Sequence, residues 1–135
     1  MRFMIIVKSS GNCASSTAPD AKFVAAMQKF NNDLAAAGVL LALEGLHPGA
    51  NGARVKPAAG QWKVSDGPFA ETKEMIGGFW IWQVNSTEEA IEWVKRCPIS
   101  THADGEIEVR QVLEVEEFAA RLAPAFVEQM RGVAA

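Results

Sequence analysis

Tyrosine is absent from this 135-residue chain, and cysteine and histidine occur only twice each. The missing phenol excludes tyrosine acid–base chemistry. Cys13 and Cys97 lie far apart and form neither a C-x-x-C pair nor a zinc-ligand spacing. Both are expected to be buried or loop thiols, and with only His47 and His102 beside them no metal site is expected. A basic stripe is also lacking: 13 Lys and Arg are scattered against 16 Asp and Glu, for a net charge of −3. Binding to nucleic acid through phosphate neutralisation is therefore excluded. There is no Gly-x-Gly-x-x-Gly after a strand, no P-loop and no Gly-x-Ser-x-Gly elbow, which argues against nucleotide cofactors and serine hydrolysis. No apolar run is long enough to span a membrane, and the opening run Phe3–Val7 stops at Lys8, too soon for a signal-peptide core. The expectation is a cytoplasmic protein with reduced thiols, no cofactor and no membrane contact.

What the chain does have is an apolar fraction of 49%, enough for one core in a single domain. Residues 2–8 read as a strand apolar on both faces, with Phe3, Ile5 and Val7 on one and Met4 and Ile6 on the other. A polar loop over 10–18 leads to Pro19 and Asp20, which open a helix. Phe23, Met27, Phe30 and Leu34, extended by Ala26 and Ala37, form its apolar stripe, and Gly38 ends it in a left-handed cap. Val39–Leu46 reads as a second strand. Arg54–Lys56 and Trp62–Val64 read as hairpin arms around Ala58-Ala59-Gly60. Residues 71–76 read as an irregular segment and Gly77–Val84 as an aromatic strand. Ser86 and Glu89 make a capping box for a helix that Pro98 closes, and Glu106–Glu114 is the last strand. A short helical pattern covers Glu116–Leu122, and another, with Phe126, Val127 and Met130, follows Pro124.

The order β-α-β, inserted hairpin, β-α-β predicts a ferredoxin-like α+β fold: a split β-α-β with an antiparallel sheet, an inserted hairpin and a C-terminal helical tail. Helices over 19–37 and 87–97 cover one sheet face only. Trp80 and Trp82 share a face, and Phe79 and Ile81 occupy the other, so both faces are apolar whichever one meets the helices. An apolar face without helices predicts a homodimer, and two such sheets face to face make a dimeric α+β barrel.

The run Asp66-Gly67-Pro68-Phe69-Ala70-Glu71-Thr72-Lys73-Glu74, followed by Gly77-Gly78-Phe79, resembles the signature of the DGPF branch of the YCII-related family, within the dimeric α+β barrel superfamily. The likeness includes Arg2–Val7, Gly45-Leu46-His47-Pro48, the hairpin around Arg54, and Ser86–Pro98. It implies a domain over residues 1–118, with 119–135 as a C-terminal helical extension of the same domain. The family has no settled activity. The resemblance implies a role in small-molecule metabolism, and some members are encoded beside alternative sigma factors.

Candidate site residues follow. Asp66 precedes Gly-Pro, where an aspartate either bonds its own turn or, desolvated in a cleft, serves as general acid or base. Histidine is the residue type whose charge changes near neutral pH, and His47 is the expected catalytic partner, a pairing suspected in related proteins. His102 sits in a polar loop and is expected to be solvated. Arg54 offers a bidentate clamp for an anion and Lys73 a point charge, while Glu71 positions the ligand or pairs with Lys73. Trp80 and Trp82, with Trp62, wall an apolar pocket or else pack in the core or dimer interface. Two functions stand side by side. One is a cofactor-independent enzyme working on a small anionic ligand by acid/base chemistry in a cleft of each subunit. The other is a non-catalytic dimeric ligand-binding or regulatory protein linked to sigma-factor-type transcription regulation.

Overall fold

A computed structural model of the chain describes residues 1–9, 21–47, 52–66, 75–101 and 106–119, with Ala125, Glu128, Gln129, Arg131 and Gly132 of the tail. Among the described residues the elements run in the order β1 (Arg2–Ser9), α1 (Ala21–Ala36), β2 (Leu40–Gly45), β3 (Ala53–Ala58), β4 (Gln61–Asp66), β5 (Met75–Gln83), α2 (Thr87–Lys95), β6 (Glu106–Gln111) and α3 (Val115–Ala119). A 3-10 turn over Pro98–Thr101 follows α2. The main sheet is antiparallel in the order β2-β5-β1-β6, and β3 and β4 form a separate two-stranded sheet.

Pleat alternation sorts the core. Phe3, Ile5, Trp80 and Trp82 project to the helix side and pack with Phe30 and Leu34 of α1 and Ala90 of α2. Phe30 meets both indoles edge-on, with centroids 6.1 Å from each. The apolar stripe predicted for α1 holds in its centre. Phe30 and Leu34 are buried and Met27 packs against the core, while Ala26 and Ala37, at the margins of the stripe, are exposed. The opposite sheet face carries Met4, Ile6, Phe79 and Ile81, as the pairings Ile6↔Phe79 and Met4↔Ile81 require.

Local chemistry sets the element ends. Gly38, at φ 73°, closes α1 in a Schellman motif: its N–H bonds to the Ala35 carbonyl and the Val39 N–H to that of Leu34. Ser86 Oγ accepts from the Glu89 N–H at 3.1 Å. The returning carboxylate of Glu89 accepts from the Asn85 N–H rather than from that of Ser86. Ser86→Ala is expected to lower stability by about 1 kcal/mol, readable as a shift in the urea midpoint. The same substitution at exposed Thr87 should leave the midpoint within about 0.5 kcal/mol of the parent.

Three boundaries differ from expectation. β5 begins at Met75, because Met75 and Ile76 pair with Ser9 and Lys8 across a register shift in β1. β2 is shorter than Val39–Leu46, since Val39 is the residue that caps α1 and Leu46 only reaches Gly77 through a single N–H. β6 stops at Gln111, after which Val112 still donates to the Arg2 carbonyl at 2.9 Å. There Arg2 also grips Glu114 with two hydrogen bonds, of 2.8 and 2.9 Å, and the guanidinium holds the Glu114 carboxyl below its usual range.

The two sheet edges differ in kind. Charged residues make up half of β6, in Glu106, Glu108 and Arg110. β2 holds one, Glu44, and displays exposed Leu41 and Leu43, followed by exposed Leu46.

Candidate functional site

The two ends of the main sheet are built differently. At one, β5 passes to α2 through Val84–Ser86, α1 to β2 through Ala37–Val39, and β6 to α3 through Val112–Glu114. These links are short and held by the caps above. At the other end β1 and β2 finish and β5 and β6 begin, as the pairings Ser9↔Met75, Gly45↔Gly78 and Lys8↔Glu106 show. From this end leave the connection over 10–20, the whole excursion 46–74 with the hairpin in it, and the stretch 102–105. Polar groups and irregular backbone concentrate where connections are long, so this is the candidate site end.

His47 follows β2 at this end and is exposed. It is held by the backbone next to it. Leu46 donates to the Gly77 carbonyl at 3.0 Å, and β2 lies so close to β5 that a Cβ on Gly78 would stand 2.8 Å from the Glu44 carbonyl oxygen. Gly78 is therefore what allows the His47-bearing strand end to press against β5.

Asp66 is the last residue of β4, paired with Ala53; its side chain lies outside the described residues, as do Glu71, Lys73 and His102. Arg54 lies on the exposed polar face of the hairpin. Trp80 and Trp82 sit in the core beneath α1, 2% and 0% exposed, where they face no opening to solvent. Trp80 donates to Asn31 Oδ1 at 3.0 Å, which ties β5 to α1.

One pair was not among the expected site residues. Lys8 Nζ lies 3.3 Å from Glu108 Oε2, half-buried, on the face opposite the helices and at the site end. In the sequence Lys8 stands out only as the residue that ends an apolar run. The pleat puts it in line with Met4 and Ile6, and that alternation is the signal that locates it.

A hollow of about 230 Å³ lies on the helix layer, lined by Ala26, Lys29, Phe30, Asp33, Arg96 and Pro98. Asp33 is 3.5 Å from both Lys29 Nζ and Arg96 Nη2, so one carboxylate is shared by two cations and the three side chains together carry one net positive charge. Cys97 is buried nearby, and burial pushes its thiol up, which leaves it protonated and inert at neutral pH. Cys13 is outside the described residues. Among the described residues no group of three or more His, Cys, Asp or Glu is placed to hold a metal ion, and no helix is long and apolar enough to cross a membrane.

A four-stranded antiparallel sheet in this order, with two helices packed on one face, defines a ferredoxin-like α+β protein. A family model for the YCII-related domain matches residues 1–116, and the chain belongs to that family. It is also 36% identical over 74 residues to an uncharacterised protein of Rhizobium meliloti (strain 1021), a stretch covering 55% of this chain and 60% of that relative.

Proposed function

We propose that this chain works as a homodimer of the DGPF type, binding a small anionic metabolite at the open end of each sheet and acting on it by proton transfer without a cofactor. The observation that carries the reading is the asymmetry of the sheet. Every long connection, with His47 and the segment 67–74 among them, departs from one end. His47 and Asp66 share the acid/base work, Arg54 and Lys73 hold the anion, and Glu71 orients it. The dimer is supported by the face bearing Met4, Ile6, Phe79 and Ile81, since α1 and α2 both pack on the other side.

The test uses proton NMR in D₂O with a panel of small carboxylates and phosphates. A substrate loses the signal of one C–H bond in the presence of the protein. His47→Gln and Asp66→Asn should slow that loss by about 10²–10⁴-fold with little change in melting temperature. If no compound exchanges a proton and none shifts the His47 ring signals, the reading falls. Binding without exchange selects the second reading, a non-catalytic ligand-binding or regulatory dimer. The exposure of His47 favours that alternative, because acid/base groups are ordinarily tuned by desolvation.

A further inference from the structure

The β3–β4 hairpin has a chemical asymmetry that the proposed cleft does not use. Its pairings put Val55 opposite Val64 and Pro57 opposite Trp62 on one face, and Arg54 opposite Ser65 and Lys56 opposite Lys63 on the other. One face is apolar and the other basic. Every residue from Gly52 to Ser65 is exposed, with Trp62 at 72%, Val64 at 62% and Val55 at 57%. Two strands without a third, or a helix to lean on, are marginal in water. The turn adds to this, because Ala59 is held at φ 49° where an L side chain is strained.

A second bare surface lies on the same chain: the β2 edge with Leu41, Leu43 and Leu46. Edge strands are ordinarily guarded by charge, as β6 is and β2 is not. Among the described residues, hairpin and edge are both exposed. From these observations we infer that the hairpin is an exchange arm, whose apolar face docks on the β2 edge of a second copy of this chain. The inference rests on the proposed dimer and adds to it a contact other than sheet face on sheet face.

Area supports a second copy as the occupant. Of the open sheet face, Ile6 is 7% exposed while Met4, Phe79 and Ile81 are partly exposed, so that face forms one part of the interface and the arms supply another. Each arm offers on the order of 300 Å² of apolar surface. Two arms and the surfaces they cover come to on the order of 1,200 Å², the lower bound of a standard interface. Charge agrees. Residues 52–66 carry three cations against Asp66, a surplus of two, so the rest of a chain at −3 carries a net −5. An arm at +2 laid against the acidic remainder of its partner therefore offsets part of the repulsion between two copies at −3.

The experiment compares the parent with Trp62→Ser by sedimentation equilibrium. Trp62→Ser is expected to keep the parent circular dichroism and to weaken dimerisation at least ten-fold. A dimeric parent with an unchanged Trp62→Ser constant overturns the arm and leaves the dimer standing. A monomeric parent overturns both. Cross-linking adds a readout that does not depend on affinity. In a Cys13→Ser background, Trp62→Cys protein is mixed with Leu43→Cys protein under mild oxidation, and a disulfide joining the two chains is expected. A variant carrying both Trp62→Cys and Leu43→Cys in the same background is oxidised alongside, and a bond that forms in it only inside one chain overturns the inference by showing an arm folded back. A bond that joins only Trp62→Cys to itself overturns it by showing arm against arm.

Discussion

Replacing Trp82 by alanine is expected to destabilise the protein by about 3–5 kcal/mol, the range for emptying a buried aromatic site. Trp82 is fully buried, faces Phe3 and Leu40 across the sheet, and lies 5.8 Å from Trp80 and 6.1 Å from Phe30 between ring centroids. Trp82→Phe should behave differently. The indole Nε1 is buried with no hydrogen-bond partner among the described residues, so phenylalanine removes a desolvated donor along with some volume. The two effects oppose each other, and the net change is expected to stay within about 1.5 kcal/mol. Trp80→Phe is the contrast, because it strands the amide oxygen of half-buried Asn31. Urea denaturation of the three variants decides the matter. A Trp82→Phe variant as unstable as Trp82→Ala would mean that the indole nitrogen has a partner.

Gly78→Val is expected to lower stability by about 3 kcal/mol, at the upper end of overpacking effects. A Cβ there meets the Glu44 carbonyl at 2.8 Å and the Gly45 Cα at 3.4 Å; both are backbone and cannot swing aside. β2 must separate from β5 where Gly45 pairs with Gly78, and the strand end that carries His47 moves with it. The variant should therefore lose ligand-induced shifts of the His47 ring as well as stability. Gly45→Ala has open space for its methyl group and serves as the control, expected within about 1 kcal/mol of the parent. Equal melting temperatures for Gly78→Val and the parent would show that the close approach of the strands is not required.

The local punctuation of the fold is legible in the sequence alone. Gly38 after the stripe from Phe23 to Leu34, Ser86 before Glu89, and Gly60 between two β-rich arms each act within a few residues, so sequence alone carries the signal. The orientation of the sheet was not readable in this way. Period two places Trp80 and Trp82 on one face, but which face depends on Phe30, fifty residues earlier, lying edge-on to both. The candidate site divides similarly. That His47 lies just past a strand end is legible from Gly45 and Pro48 around it. The setting of that strand end beside Gly77 is a long-range pairing, as is the Lys8–Glu108 bridge, and no local pattern contains it. Glu71 and Lys73 lie outside the described residues, so their placement in the proposed cleft stays with the NMR experiment.

The unequal edges of the main sheet also bear on what happens when copies of this chain crowd together. A fibril grows because each added strand exposes a fresh edge equivalent to the one it covered, so growth requires both flanks of a sheet to accept a neighbour. Here β6 brings Glu106, Glu108 and Arg110 to one flank, and a strand approaching it must desolvate charge. Only the leucine flank of β2 is permissive. A sheet with one permissive flank has the valence of an end-piece: it joins once and then presents charge on every side. Glu108→Val together with Arg110→Val would turn that end-piece into a link in a chain.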